Sequence, residues 1–318
     1  MSHEKLINIL FLGGAKRVSL AERFMEAGEA LHRKINIFSY ELTTTVPIAA
    51  VAKKIIVGLQ WKDDGILEHL SATIRKHAID IVLPFVDSSV MVAGSLKKRE
   101  KDIFIPVSER SVSERFFDKT EADTWFVNNG FPTPAQSTTI PVIAKVPRGS
   151  ASKGIFIIKT DAQWRFFIDN FDPKNYLIQQ FIEGNEYSVD CYVSSKGTIV
   201  SVVPRERIEV IDGEVTQSIT VRDHDIITLA NKILEKCECR GPVTIQIIKE
   251  KGTEKLFIIE INPRFGGGVP LSIEAGANIP LLLLQDYVGI ANQVVDNWRE
   301  NVLMTRAYRE VFHYANNR

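Results

Sequence analysis

The feature that most constrains the fold is a change in pattern about one third of the way along the chain. Before residue 106, short apolar runs typical of strands alternate with segments whose apolar residues recur at helical spacing. Strands are predicted at residues 6–12, 35–40, 54–57 and 79–84, with 103–106 as a fifth candidate, and helices at 18–31 and 65–77. Repeated strand–helix units predict a parallel sheet covered by helices on both faces, which binds ligands at the carboxyl ends of its strands.

After residue 106 the pattern becomes rich in strands. A polar helical stretch at 108–130 is followed by Phe131-Pro132-Thr133-Pro134, which ends it. Strands are then predicted at residues 142–146, 155–159, 175–182, 186–193, 198–203, 242–249 and 256–261, and helices at 161–171, 224–235 and 279–290. Because so few helices intervene, we expect antiparallel sheet here. The predicted class is α/β in the first part and α+β overall.

Composition and charge exclude several classes of protein. The chain has 39 basic and 39 acidic side chains, so no net field favours nucleic acid or an anionic membrane as a partner. No apolar stretch reaches the length of a membrane span. The three cysteines, Cys191, Cys237 and Cys239, are too few for a disulfide framework, and we expect them to be reduced. These observations favour a cytoplasmic protein.

The sequence Glu260-Ile261-Asn262-Pro263-Arg264 carries the strongest indication of chemistry. It ends an apolar run, and residues two apart in a strand face the same side, so Glu260 and Asn262 point together. A carboxylate and an amide oxygen on one face suit Mg²⁺, and Arg264 can hold phosphate oxygens. For an isolated E-x-N-x-R sequence the alternative is a solvated strand end.

A second set of residues lies around a loop of small side chains. Lys145 ends an apolar strand and is followed by Arg148-Gly149-Ser150-Ala151-Ser152-Lys153-Gly154. The backbone of such a loop can surround phosphate oxygens, and a neighbouring lysine supplies a counter-charge. A plain hairpin with a long tip is the alternative.

Two further elements extend this pattern. Between two predicted strands, the backbone of residues 179–186 could pair with an adenine edge, and Glu186 could accept both ribose hydroxyls. If the last hairpin is symmetric about Thr253, the residue numbers of each facing pair add up to 506, and Gln246 faces Glu260. That register places Gln246, Glu260 and Asn262 on one polar patch.

The first part of the chain offers only a weak dinucleotide signal. The turn Gly13-Gly14-Ala15-Lys16-Arg17 lacks the glycine spacing of a pyrophosphate-binding loop. Glu41, at the end of the second predicted strand, could meet a ribose or could be a surface acid. A dinucleotide oxidoreductase therefore has little support.

Taken in order, these elements resemble the ATP-grasp superfamily, and within it the carbamoyl-phosphate-synthase-like and amino-acid-ligase-like members. The resemblance covers most of the chain. It implies a Rossmann-like pre-ATP-grasp domain at residues 1–106 and an ATP-grasp domain at residues 107–318. The second domain would comprise a small lid at about 135–180 and a larger body of mixed and antiparallel sheet.

The resemblance also implies ATP and Mg²⁺ (or Mn²⁺) as cofactors, and a role for individual residues. The implied nucleotide contacts are Lys119, Lys145, Ser150, Ala151, Ser152, Lys153, Gly154, Gln179, Gln180, Phe181, Ile182 and Glu186. The implied metal ligands are Gln246, Glu260 and Asn262, with Arg264 on the phosphate side. Many members carry an acid where Gln246 stands, so we expect one metal to be held more weakly here.

The implied reaction is ATP-dependent amide formation between a small-molecule carboxylate and an amine, through an acyl phosphate. Arg205 and Arg207, in Pro204-Arg205-Glu206-Arg207, are candidates for holding the acceptor carboxylate or the oxyanion. An exposed strand edge is the alternative for this sequence. Two other functions stay open: a carbamoyl-phosphate-synthase-like enzyme using bicarbonate and ammonia, and a non-catalytic ATP-binding module. A homodimer is also open.

Overall fold

The described part of the chain, residues 5–149, 154–211 and 213–313 in a computed structural model, contains three β-sheets. The first is parallel, with strand order β3-β2-β1-β4. Its elements, in chain order, are β1 (Lys5–Leu12), α1 (Val18–Ala30), β2 (Arg33–Glu41), β3 (Lys54–Val57), α2 (Ile66–His77), β4 (Ile81–Pro84) and α3 (Asp87–Arg99).

Strand β1 shows why this sheet is covered on both faces. Its last six residues are all buried, and alternate side chains enter two different clusters. Ile9 and Phe11 pack with Phe24 of α1, whereas Leu10 and Leu12 pack with residues of α2 and α3. A continuous apolar run is what a strand buried on both faces requires.

Two antiparallel sheets and their helices make up the rest of the chain. The next elements are α4 (Arg110–Phe117), α5 (Lys119–Asn128), β5 (Val142–Lys145), β6 (Ile155–Ile158), α6 (Asp161–Asn170) and β7 (Leu177–Gln180). They are followed by β8 (Gly184–Val193), β9 (Ile199–Ile211), β10 (Glu214–Thr220), α7 (His224–Lys236), β11 (Gly241–Glu250), β12 (Leu256–Asn262), α8 (Val269–Glu274), α9 (Ile279–Tyr287) and β13 (Leu303–Thr305). The small sheet has the order β6-β5-β7, and the large sheet has the order β12-β11-β8-β9-β10-β13.

The large sheet separates an apolar face from a polar one. Val189, Ile245 and Ile261 face a core that includes residues of α7. The cross-strand row Glu260, Gln246, Ser188 and Arg205 belongs to the opposite face, because neighbours in a row share a side. The polar face borders a cleft, and the apolar face anchors the sheet.

The fold class predicted from the sequence is confirmed: a parallel sheet with helices precedes antiparallel sheets. The proposed boundaries at 106 and 107 stay a prediction. No helix within the described ranges is long and apolar enough to cross a bilayer. All three cysteines are buried and free.

Several local predictions were wrong. Residues 108–130 form two helices because Asp118 adopts an extended conformation and its carboxylate caps the N–H groups of Thr120 and Glu121. Residues 103–106 form only a single bridge, between Phe104 and Ile81. The strand predicted at 198–203 continues to Ile211. The elements α3, β10, α8 and β13 were not predicted.

A glycine at the junction of the first sheet with the large sheet yields a stability prediction. Gly241 has φ +77°, and a Cβ there would lie 1.8 Å from the carbonyl oxygen of Pro106. We expect Gly241→Ala to lower the free energy of unfolding by about 3 kcal/mol or more, measured by urea denaturation, because backbone atoms cannot easily move apart.

Gly252→Ala is the matched control, since Gly252 has φ +87° and nothing within 4 Å of a Cβ. The control isolates the backbone cost of about 1–2 kcal/mol. Equal losses in the two variants would contradict the proposed close contact.

Candidate nucleotide-binding site

A cavity of about 740 Å³ lies among the polar face of the large sheet, the small sheet and the end of the first sheet. Its lining includes Arg17 and Asp87 from the first part of the chain, Lys145 from the small sheet, and Gln246 and Glu260 from the large sheet. The cavity is therefore built from all three sheets, and both lysine and carboxylate face it.

The hairpin of β11 and β12 has the predicted register at its functional end. Gln246 pairs with Glu260, and Asn262 Nδ2 donates to Glu260 Oε1 at 2.8 Å. A bulge after Gln246 shifts the pairing between Gln246 and the turn by one residue, so Ile247 pairs with Ile258 rather than with the residue expected from symmetry about Thr253. The predicted polar patch exists because it lies on the side of the bulge away from the turn.

Arg264 is oriented by a residue that sequence reasoning missed. Its Nε donates to Asp87 Oδ1 at 2.6 Å, and its Nη2 donates to Asn262 Oδ1 at 3.2 Å. Asp87 is the first residue of the unpredicted helix α3. The apolar spacing of Val90, Ala93 and Leu96, with basic residues in the last turn, was the available signal for this helix.

The donor set fits a single Mg²⁺ only together with a nucleotide. Glu260 is its one carboxylate, and Gln246 and Asn262 contribute neutral amides. The described residues contain no group of three or more His, Cys, Asp or Glu side chains arranged for a metal. Mg²⁺ in proteins commonly combines one or two carboxylates with phosphate oxygens. Without phosphate, Asn262 is already engaged by Glu260 and Arg264.

Lys145 is a buried cation whose charge is only partly balanced by its neighbours. It is 5% exposed, and its Nζ donates to Gln179 Oε1 at 3.2 Å. Burial lowers the pKa of Lys145, and the nearby Glu260 opposes this by favouring the charged form. An anion entering the cleft would complete the compensation that Glu260 begins.

The lysine from α5 and the start of the small-residue loop lie together. Lys119 Nζ donates to the carbonyl of Gly149 at 2.8 Å. Of the predicted loop contacts, Ser150, Ala151, Ser152 and Lys153 lie outside the described residues. Gly154 has φ +71°, and a Cβ there would meet Val146 at 2.9 Å, so a glycine suits the return of this loop.

The segment predicted to contact adenine is tied into the small sheet. The Gln179 side chain donates to Asp123 Oδ1 at 2.8 Å and to the Pro134 carbonyl at 3.0 Å, so it orients Lys145. The N–H groups of Gln180 and Phe181 donate to the carbonyls of Ala135 and Pro141. Ile182 is buried. Residues 180–182 all line the cavity.

Glu186 and Arg207 form an ion pair at the cavity wall. Arg207 Nε lies 3.3 Å from Glu186 Oε2, but without hydrogen-bond alignment. Arg207 Nη1 donates to Ser188 Oγ at 3.3 Å. Burial lowers the pKa of Arg207, while Glu186 raises it. The alternative of an exposed strand edge is wrong for this segment, because strands β8 and β10 flank β9 on both sides.

Arg205 is almost fully buried beneath the glycines that follow Arg264. Its Nε and Nη2 donate to the two oxygens of Asp190 at 2.7 and 3.1 Å, and its Nη1 donates to Ser218 Oγ at 3.3 Å. A Cβ on Gly268 would lie 2.3 Å from Arg205 Nη1. The glycine allows the loop to rest directly on this guanidinium.

Arg17, at the end of the weak dinucleotide-like turn, also lines the cavity. Its guanidinium lies 5.7 Å from the centre of the Phe85 ring. The available signal was its place directly after the glycine turn at the carboxyl end of β1, where parallel sheets bind ligands.

Glu41 is buried rather than a surface acid. It is 8% exposed, accepts a hydrogen bond from Ser39 Oγ at 2.6 Å, and faces the amides of Gly14 and Ala15. Burial raises the pKa of Glu41. Its position shows that it supports the turn that carries Arg17.

The burial of Lys145 yields a prediction about ligand-free stability. The folded state lowers its pKa below the ordinary 10.5, so at pH values between the two the unfolded chain binds the proton more tightly. We expect Lys145→Met to have a Tm equal to or above that of the parent without ligand. The advantage of the variant should shrink as the pH rises toward about 10, since the parent gains stability there.

In the same variant, the affinity for Mg-ATP measured by calorimetry should fall at least about tenfold, because a phosphate counter-charge is lost. The exposed Lys174→Met is the control and should change neither quantity much. A lower Tm with unchanged nucleotide affinity would show that Lys145 is structural.

Comparison with known proteins finds one matching family model and several relatives of low sequence identity. The family described as ATP-grasp in the biosynthetic pathway with Ter operon matches residues 172–309. The D-alanine–D-alanine ligase of Rickettsia felis is 23% identical over 297 residues, covering 84% of this chain and 88% of the relative.

Solved structures share the fold. The biotin carboxylase domain of the Hydrogenobacter thermophilus 2-oxoglutarate carboxylase, in complex with MgADP, ADP and bicarbonate, has a TM-score of 0.74 at 16% identity and covers 95% of this chain and 74% of that chain. The L-amino acid ligase from Bacillus licheniformis has a TM-score of 0.67 at 15% identity, with 92% and 76% covered. With the family match over residues 172–309, these shared folds bear out the resemblance to the ATP-grasp superfamily found in the sequence.

Proposed function

We propose that the chain is an ATP-dependent carboxylate–amine ligase that forms an amide through an acyl phosphate. The observation that carries this proposal is the meeting of Glu260, Gln246 and Asn262 with Lys145 across one cleft. Hard oxygen ligands and a buried ammonium group on opposite walls suit a metal-bound triphosphate. Similarity to D-alanine–D-alanine and L-amino acid ligases supports the reaction class.

In the first step, a substrate carboxylate oxygen would attack the γ-phosphorus of ATP, and ADP would leave. Mg²⁺ bound by Glu260, Asn262 and Gln246 would supply charge neutralisation at the phosphate oxygens. Lys145 and Arg264 would hold the same oxygens from two sides. Asp87 keeps the Arg264 side chain oriented for this role, which matters because phosphoryl transfer depends on positioning.

In the second step, an amine would attack the acyl phosphate, lose a proton and release phosphate. The negative charge that develops on the acyl oxygen needs a nearby cation. Arg207 is better placed than Arg205 to supply it, because Asp190 and Ser218 engage three nitrogens of Arg205, whereas Arg207 Nε lies beside Glu186 without a hydrogen bond. The residues that follow Lys145 would exclude water by closing over the phosphates.

A bicarbonate-using enzyme is the second candidate, and one observation favours it. The biotin carboxylase domain that shares this fold was solved with bicarbonate. ADP release from Mg-ATP should be measured with amino-acid pairs and, separately, with bicarbonate plus ammonia, and products identified by mass spectrometry. Amide formed only from amino acids supports the ligase; Mg-ATP binding without ADP release on every combination contradicts both candidates.

The metal assignment predicts the effect of one carboxylate. We expect Glu260→Ala to lower kcat/KM for ADP release at least about 100-fold while the circular dichroism spectrum is unchanged, because the set loses its only charged ligand. Glu254→Ala, in the exposed turn of the same hairpin, should retain activity. Parent-like turnover in Glu260→Ala would remove this metal site from the account.

The single carboxylate also predicts how the metal binds. With one charged ligand, Mn²⁺ used in place of Mg²⁺ should bind the free protein only in the millimolar range. Mn²⁺ should bind the complex of the protein with a nonhydrolysable ATP analogue at least about tenfold more tightly than it binds the analogue in free solution. Electron paramagnetic resonance of free Mn²⁺ measures both. Tight binding without nucleotide would contradict the proposed donor set.

A further inference from the structure

Arg17 lines the cavity beside a pair of stacked aromatic rings. It follows the Gly13-Gly14 turn, and its guanidinium lies 5.7 Å from the centre of the Phe85 ring. Phe85 in turn stacks on Phe265 with centroids 5.9 Å apart and an interplanar angle of 20°. The Arg17 guanidinium therefore lies beside a stack that includes Phe265, the residue directly after Arg264.

The arginines around the glycine loop at 266–268 each have a carboxylate, except Arg17. The pairs are Arg205 with Asp190, Arg207 with Glu186, Arg264 with Asp87 and Arg306 with Glu214. Within the described ranges, Arg17 has no carboxylate within ion-pair distance and its side chain donates no hydrogen bond. Among the described residues, Arg17 is therefore the guanidinium of this group that has no ion pair of its own.

Folding disfavours the charged form of Arg17. Burial lowers the pKa of Arg17 to about 10, and repulsion from Arg264 and Arg306 acts in the same direction. Arg17 nevertheless stays charged at neutral pH. It also occupies the N-cap of α1 without a capping hydrogen bond, where the helix dipole disfavours a cation. Glu214 favours the charged form of Arg17, but its carboxylate is paired with Arg306.

Arg17 and Lys145 belong to different ends of the cavity. The charged groups that act on Lys145 are Glu260, Lys119, Asp123 and Glu186, whereas those that act on Arg17 are Arg264, Arg306 and Glu214. Arg264 links the ends, because it also bonds Asn262 of the metal set. A molecule reaching from Arg264 to Arg17 would extend away from the nucleotide.

We propose that Arg17 binds a second anionic group, a carboxylate or a phosphate, on the substrate whose other carboxylate is phosphorylated. The substrate class is then a diacid rather than a simple monoacid. This inference rests on the proposed ligase function and specifies which acids that function accepts. A fixed guanidinium binds either oxyanion through two parallel N–H donors.

The test is a binding measurement that needs no turnover. Calorimetry on the full chain saturated with Mg²⁺ and a nonhydrolysable ATP analogue would use three probes of similar length. These are succinate, with two carboxylates; 3-phosphonopropionate, with a carboxylate and a phosphonate; and succinamate, with one carboxylate and an amide. We expect at least one dianionic probe to bind about 10- to 100-fold more tightly than succinamate, and the tighter one identifies the second group.

Arg17→Gln should abolish this preference and leave the affinity for the nucleotide analogue unchanged. Arg23→Gln is the matched control: it removes an arginine from the same helix that is paired on the surface with Glu26 and Glu274, and it should retain the preference. Arg17→Lys should retain part of it. These results would support the assignment.

The inference would be overturned if all three probes bound equally or none bound. It would also be overturned if the preference for a dianionic probe survived Arg17→Gln. A loss of nucleotide affinity in that variant would overturn it as well, because Arg17 would then contact the nucleotide phosphates. Failure of the ligase function would be seen separately, as absent ADP release on every acid and amine tested. The two failures are therefore distinguishable.

Discussion

The buried ion pair between Arg205 and Asp190 fixes the geometry on which the cleft depends. Both side chains are 1% exposed, and Asp190 also accepts from Ser272 Oγ at 2.7 Å and faces Thr244 Oγ1 at 3.4 Å. The cluster joins β8, β9, β11 and α8. A buried pair is tolerated only when its hydrogen bonds are well made, and loss of one partner leaves an expensive lone charge. The glycines after Arg264 rest on this cluster, so it supports the floor of the cavity.

The parts of the site that could be predicted are those determined by residues close to one another in the sequence. Alternation in β12 places Glu260 and Asn262 together, and the hairpin pairing brings Gln246 opposite Glu260. Lys145 was recognisable as a lone lysine in an apolar strand. These predictions needed only the period of a strand and the symmetry of one turn. The bulge after Gln246 was not predictable from that symmetry, although it does not disturb the polar patch.

The parts that could not be predicted depend on contacts between distant segments. Asp87 and Arg264 are 177 residues apart, and nothing near either one specifies the other. Arg205 was a candidate for direct chemistry, but Asp190 and Ser218 engage it instead. Arg17 became visible only when its neighbours proved to have carboxylates of their own. Long-range pairing decides which charges are satisfied, and a sequence alone does not show this.

The cleft concentrates cations that the fold does not need. Lys145 and Arg17 each lose hydration on folding, and burial lowers the pKa of both. Such groups reduce stability and are expected where a protein binds anions. Their charged neighbours differ, which suits a nucleotide near Lys145 and an acidic substrate near Arg17.

In the proposed site, one divalent cation on the polar patch of β11 and β12 holds the phosphates of ATP. A crystal structure of the protein with Mg²⁺ and a nonhydrolysable ATP analogue tests it most directly. The account predicts a Mg²⁺ ion about 2.1 Å from an oxygen of Glu260 and from analogue phosphate oxygens, with Lys145 on the opposite wall against the same phosphates. A nucleotide bound elsewhere, or phosphates in the cleft with no metal at Glu260, would contradict it.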